Sequence, residues 1–97
     1  MANSHKITLY GHNTCPMVPP VEELLQRASV DYEYINIYQS TSARLHVREI
    51  NNGFESVPTL VFPDDSTLTE PSLFELRDKL KDLGYSISRR PKPARQA

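Results

Sequence analysis

The hydrophobic pattern of the chain switches several times between alternation and helical spacing, and each switch marks a new element. Lys6-Ile7-Thr8-Leu9-Tyr10 is a short β-prone run that Gly11 and Asn13 break. From Pro16 to about Ser29, the residues Val18, Val21, Leu24, Leu25 and Ala28 recur at helical spacing. Pro16 suits a first-turn position, whereas Pro19 and Pro20 are expected to kink this helix or delay its start. Tyr32-Glu33-Tyr34-Ile35-Asn36-Ile37 reads as a second strand, rich in aromatic and β-branched side chains. A second helix is expected from near Thr41 to Asn51, with Ser40 or Thr41 as cap, Gly53 as terminator, and Ala43, Leu45, Val47 and Ile50 as its apolar positions. Thr59-Leu60-Val61-Phe62 is a third strand, Pro63-Asp64-Asp65-Ser66 a turn, and Thr67-Leu68-Thr69 a short fourth strand. Ser72-Leu73-Phe74-Glu75 has capping-box spacing, and Leu73, Leu76, Leu80 and Leu83 form one stripe before Gly84 closes the last helix.

The resulting βαβαββα order describes one mixed α/β domain, expected over residues 1–86, with a basic, disordered tail over 87–97. Charge is uneven. Of eleven basic residues, Arg89, Arg90, Lys92 and Arg95 crowd the last nine positions, leaving residues 1–88 with seven basic and twelve acidic side chains, or −5. Such a body offers no basic surface to nucleic acid, so any polyanion contact would be confined to the tail. No apolar run is long enough for a transmembrane helix, and the first residues lack a signal-peptide pattern. With one cysteine in the chain, the expectation is a cytoplasmic monomer that binds neither nucleic acid nor membrane.

That cysteine, Cys15, lies where the first strand hands over to the first helix, in Gly11-His12-Asn13-Thr14-Cys15-Pro16-Met17-Val18. Unpaired N–H groups and the helix dipole at a helix start favour a negative charge, hence a thiolate. No second cysteine is present to close an internal disulfide, so any redox cycle of Cys15 must be completed by an outside thiol. A lone cysteine is also commonly a small buried hydrophobe, and the strand–Cys-Pro–helix setting is what favours the reactive reading. His5, His12 and His46 suggest no metal geometry with Cys15, and no metal site is expected. Tyr32, Tyr34 and Tyr38 read as strand and edge aromatics rather than as a platform for bases.

Leu9-Tyr10 leading to Thr14-Cys15-Pro16, then Ser56-Val57-Pro58-Thr59, then Thr67-Leu68-Thr69-Glu70-Pro71-Ser72 opening the last helix, together resemble the glutaredoxin family of the thioredoxin-like fold. The likeness covers roughly residues 5–84 and is nearest to the short mycoredoxin type, here with a Cys-Pro-Met-Val motif. It implies a four-stranded mixed sheet with the first two strands parallel and the last two antiparallel. It further implies a cis proline at Pro58 beside the thiol, and a Val57 backbone that pairs with a bound thiol peptide as an added strand. The segment from Glu70 to Ser72 would face a ligand carboxylate through free N–H groups. On this resemblance Cys15 is the catalytic residue, with His12, Pro16, Met17, Val57, Pro58, Glu70 and Ser72 around the thiol ligand.

The pattern departs from the family at definite places. Val18 stands where dithiol members have a second cysteine, Met17 where tyrosine is usual, His12 where a lysine is frequent, and Thr69-Glu70 where a glycine pair is frequent. The resemblance therefore implies a thiol–disulfide oxidoreductase using Cys15 alone, acting on small-thiol and protein mixed disulfides. Its co-substrate would be a low-molecular-weight thiol such as glutathione or mycothiol, with no tightly bound cofactor. Two alternatives stand beside it. One is a non-catalytic interaction module on the same fold. The other is a dimeric iron–sulfur carrier, although Pro16-Met17-Val18 differs from the glycine, phenylalanine and serine usual in such members.

Overall fold

A computed structural model describes residues 6–87. Its elements run β1 (Ile7–Gly11), α1 (Val18–Arg27), β2 (Tyr32–Asn36), a 3-10 turn (Ile37–Gln39), α2 (Thr41–Ile50), β3 (Thr59–Val61), β4 (Thr67–Thr69) and α3 (Leu73–Asp82). The strands make one four-stranded sheet in the order β2-β1-β3-β4. β1 and β2 are parallel, in register from Ile7 opposite Tyr32 to Gly11 opposite Asn36, with α1 as the crossover a parallel pair requires. β1 with β3, and β3 with β4, are antiparallel. The α/β architecture is the one the resemblance implied.

Strand alternation assigns the helices to faces, because successive side chains point to opposite sides of a sheet. Ile7, Leu9, Leu60 and Phe62 pack with Val21, Leu24 and Leu25 of α1 and Leu76 and Leu80 of α3. Tyr10 and Ile37 pack with Ala43 and Val47 of α2 in a smaller cluster. The sheet is thus sandwiched, α1 and α3 on one side and α2 on the other. Val57 packs against both clusters, at the end of the sheet where they meet.

The structure corrects several local expectations. α1 starts at Val18 rather than Pro16, with Met17 as an N-cap that makes no side-chain bond. Pro19 and Pro20 then fall in the first turn, whose N–H groups have no partner inside the helix, so the missing donors cost no helical bond. The first helical bond runs from Val21 N–H to Met17 O at 3.2 Å. Leu45 and Leu73 are 53% and 39% exposed and stay out of the apolar faces assigned to them. β2 stops at Asn36, whose side chain accepts from Tyr38 N–H and starts the 3-10 turn.

Helix ends follow their capping chemistry. Ser40 Oγ accepts from Ala43 N–H at 3.2 Å to open α2. Gly53 adopts φ +97° beyond its end, where its N–H reaches Arg48 O at 2.7 Å. α3 carries both halves of its capping box: Ser72 Oγ accepts from Glu75 N–H at 3.1 Å, and Glu75 Oε1 accepts from Ser72 N–H at 2.9 Å. After α3, Tyr85 and Ile87 pack back on the larger cluster. Ile87, expected as the first residue of the disordered tail over 87–97, is thus held by the core, and residues 88–97 of that tail, like His5, lie outside the described residues.

Candidate active site

Cys15 sits in a pair of linked turns between β1 and α1. Its N–H bonds His12 O, and its carbonyl accepts from Val18 N–H, both at 3.3 Å. The thiol therefore precedes the helix instead of capping it. Pro16, Pro19 and Pro20 have no N–H, and the N–H groups of Val18 and Val21 are spent on Cys15 O and Met17 O. The helix start consequently supplies fewer donors to Cys15 than its sequence position suggests.

The loop is held from the β2 side. Asn36 Nδ2 donates to Asn13 Oδ1 at 3.0 Å, and the His12 ring stacks on Tyr38 with centroids 5.1 Å apart. Thr14 Oγ1 lies 3.1 Å from His12 Nδ1. His12, named from sequence as a ligand contact, is thus engaged by both an aromatic ring and a hydroxyl.

Cys15 is 9% exposed and belongs to the larger apolar cluster together with Val18. Its Sγ donates to Val57 O at 3.9 Å, across the start of β3. The Val57–Pro58 peptide bond is cis. Sequence positions 15, 57 and 58 therefore meet in space, while Pro16 and Met17 lie exposed on the outer side of the turn. Among the described residues, no group of three histidine, cysteine or acidic side chains could hold a metal ion. His46 is occupied elsewhere, edge-on to Tyr10 and 3.4 Å from Glu49.

A polar network beneath this point was not anticipated from sequence. Thr59 is fully buried and its hydroxyl donates to Ser56 O at 2.7 Å, bridging the residues on either side of Val57-Pro58. Asn51 Nδ2 donates to that hydroxyl at 3.2 Å, and Thr69 Oγ1 donates to Asn51 Oδ1 at 2.7 Å. Each hydroxyl spends its single proton on the shorter contact, so the 3.5 Å approach of Thr59 to Thr69 is packing rather than a further bond. Arg48 adds a two-pronged contact to Glu55, at 2.9 and 2.5 Å, tying α2 to the same segment.

The segment expected to receive a carboxylate is built differently. Glu70 N–H donates to Pro58 O at 2.8 Å, Pro71 has no N–H, and Ser72 N–H is taken by Glu75. None of the three residues has a free backbone donor, and Glu70 adds an exposed carboxylate. The expectation of free N–H groups at Glu70–Ser72 is corrected: the helix cap and the Pro58 contact consume them.

Tyr34 is a second residue that sequence reasoning passed over. It faces the α1 side of the sheet, where its ring edge would lie 3.2 Å from a Cβ placed on Gly11. Its pKa is raised above the ordinary tyrosine value, first by burial, then by the charges of Glu22 and of Cys15. The charge of a Cys15 thiolate is thus felt at the Tyr34 hydroxyl. The alternation in Tyr32-Glu33-Tyr34, which puts both tyrosines on one face of β2, was the available signal.

A family model described as Glutaredoxin matches residues 7–66. The chain belongs to the glutaredoxin family. Two Mycobacterium tuberculosis proteins provisionally named glutaredoxins, from strains CDC 1551 and H37Rv, are each 32% identical over 74 residues, covering 76% of this chain and 88% of theirs. A glutaredoxin structure from Archaeoglobus fulgidus superposes with TM-score 0.65 at 27% identity, over 74% of this chain and 82% of that one. A thioredoxin-like protein superposes with TM-score 0.66 at 25% identity, over 74% of this chain and 96% of its own. Membership brings a redox function and a thiol co-substrate. Val18, three positions after Cys15, is buried and packs close to Gly11.

Proposed function

We propose that this glutaredoxin is a thiol–disulfide oxidoreductase that works by a single-cysteine route through Cys15. The Cys15 thiolate attacks one sulfur of a mixed disulfide, forming a new Cys15 disulfide and releasing the other sulfur as a thiolate. A low-molecular-weight thiolate then attacks the small-thiol sulfur of the adduct, which expels Cys15 as a thiolate again. Two electrons pass from the outside thiols to the original disulfide, and no second cysteine of the chain takes part.

The observation that carries this reading is the Cys15 Sγ contact with Val57 O at 3.9 Å beside the cis bond. In the reduced state the thiol proton occupies that carbonyl. Disulfide formation removes the proton and leaves Val57 O free to accept a backbone N–H from the bound thiol peptide, which would then lie as an added strand. The Thr59–Ser56 bond holds that carbonyl's segment still.

The same geometry favours a co-substrate that needs no carboxylate receptor at Glu70–Ser72, because the donors there are committed. Glutathione carries free carboxylates and mycothiol carries none, so the pair separates the cases. His12, Met17 and Pro16 would border the ligand on the loop side. The protein would act as a monomer in a reducing compartment such as the cytoplasm, where Cys15 stays a free thiol.

Mass spectrometry of the protein after incubation with glutathione disulfide and with mycothiol disulfide tests this. One adduct per chain on Cys15, formed faster with mycothiol, is the expected result. An unmodified Cys15 with both reagents would remove the proposal.

A further inference from the structure

The loop that carries the thiol is tied to the end of β2 through one side chain, that of Asn36. We propose that Asn36 is a positioning residue for the exchange reaction. Its amide fixes the loop of residues 12–15, and through that loop the place of the Cys15 sulfur against Val57 O. The proposal rests on the exchange reading for what the sulfur does, and on the contacts around Asn36 for how it is held.

Strand register puts Asn36 where the tie is needed. It is the last residue of β2 and pairs with Gly11, the last residue of β1, at the point where the chain leaves the sheet for the thiol loop. Both ends of its amide are used. Oδ1 accepts from Tyr38 N–H at 2.9 Å, and Nδ2 donates to Asn13 Oδ1 at 3.0 Å. Only the oxygen can accept a backbone N–H, so the first bond decides which atom faces Asn13.

Two arms therefore leave one side chain. The first holds Asn13 directly. The second caps the 3-10 turn and so places Tyr38, whose ring stacks on His12 with centroids 5.1 Å apart and 20° between planes. His12 O in turn accepts Cys15 N–H at 3.3 Å. On the other side, the Cys15 carbonyl accepts from Val18 N–H. The cysteine is thus held between the tied loop and the start of α1.

The sulfur contact has little slack. Cys15 Sγ meets Val57 O at 3.9 Å, so an outward shift of the loop removes the contact. A misplacement of about 1 Å is enough to slow a reaction by up to about 100-fold. The proline-rich helix start offers few spare donors to hold the sulfur in its place.

Three variants separate the tie from the fold. Asn13→Asp keeps an acceptor for Asn36 Nδ2. Asn36→Asp keeps the acceptor for Tyr38 N–H, and the Asn13 amide can turn over to donate to the new carboxylate. With both substitutions, two carboxylates face each other and no donor lies between them.

Hydrogen exchange at Cys15 N–H, followed by NMR in the full chain, reads the tie without any redox chemistry. Each single variant should match wild type, and the double variant should exchange about tenfold faster, the scale of one lost hydrogen bond. Core amides such as those of Leu9 and Leu25 should keep their rates. Adduct formation on Cys15 supplies the catalytic readout, with the disulfide of a short uncharged cysteine peptide and with bis(2-hydroxyethyl) disulfide. In each case the Cys15 thiolate attacks one sulfur, and the other half leaves as its thiolate. The ratio of the peptide rate to the small-disulfide rate cancels any change in thiol ionisation. It should fall about tenfold in the double variant alone, because only the peptide uses the Val57 edge.

Equal Cys15 N–H exchange in all of these proteins would overturn the proposal. So would a loss of protection spread evenly along the chain, or a rate ratio that stays fixed when the tie is cut. A wild type that forms no adduct with either disulfide would instead sink the exchange reading, and the Cys15 N–H pattern tells that failure from this one.

Discussion

Val18 Cγ2 lies 2.7 Å from the position a Cβ would take on Gly11. The last residue of β1 and the first of α1 are therefore in contact through the absence of a side chain, and Tyr34 closes the same space at 3.2 Å. Valine at a helix start has little freedom to move aside. Gly11→Ala is expected to destabilise the fold by about 1–3 kcal/mol, the range for overpacking a well-filled site. A urea unfolding midpoint equal to that of wild type would contradict the contact.

On the proposed single-cysteine route, Val18 is the residue that keeps the chain from closing an internal disulfide with Cys15. Its N–H closes the turn on Cys15 O at 3.3 Å, and its side chain is buried. Val18→Cys should let the chain discharge its own adduct, so that oxidised protein accumulates an intramolecular disulfide in place of the Cys15 mixed disulfide. Intact-mass measurement after treatment with a small disulfide distinguishes the two. A persistent adduct on the variant would count against Val18 as the reason for the single-cysteine route.

Much of this was legible from the chain. Ser72-Leu73-Phe74-Glu75 announced a capping box that forms in full, and the apolar spacing of Val21, Leu24 and Leu25 placed the buried face of α1. That Pro58 lies beside the Cys15 thiol was implied only by the family resemblance, since no local rule links Cys15 to Val57, 42 positions on. Other features depend on tertiary competition that a linear reading does not contain. Whether Glu70 and Ser72 offer N–H groups depends on Pro58 O and on the Glu75 carboxylate. Leu73 fits a helical stripe by spacing, yet it stands at the first turn of α3, where the helix edge faces water.

Glu70 adopts φ +48°, a left-handed conformation that favours glycine. Glu70→Gly should relieve that backbone while raising the entropy of the unfolded chain, leaving stability within about 1 kcal/mol of wild type. It should also lower the KM for a carboxylate-bearing disulfide several-fold, because the local negative charge is gone. Steady-state kinetics with glutathione disulfide and with mycothiol disulfide would show the first falling and the second unchanged. An equal response of both would sink the electrostatic explanation.

Thr59 holds the site from below. Thr59→Val keeps the shape but removes the donor to Ser56 O and the acceptor for Asn51. A cost of about 1–3 kcal/mol is expected for leaving such partners unsatisfied. Exchange through Cys15 should slow by more than the folded fraction accounts for, since the Val57 carbonyl loses its brace. Chemical denaturation together with adduct-formation rates provides the check, and a rate matching wild type would contradict the bracing role.

The Tyr34 titration gives a pH signature. Its pKa is raised by burial, by Glu22 and by Cys15, so folding is favoured with the phenol protonated. That contribution is complete below the ordinary tyrosine pKa and is lost as pH rises through the higher folded value. Cys15→Ser removes one of the three causes and should lower the Tyr34 midpoint while leaving it above ordinary. Site-resolved NMR titration of the tyrosines measures this, and an unmoved Tyr34 would mean that the thiolate charge is not felt there.

Turnover of a small-thiol mixed disulfide by wild type and by Cys15→Ser, with an excess of the free small thiol, bears most directly on the central claim. The single-cysteine account predicts catalysed release by wild type, a Cys15 adduct trapped by rapid acidification, and only the uncatalysed rate for Cys15→Ser. Equal rates for the two proteins would contradict it.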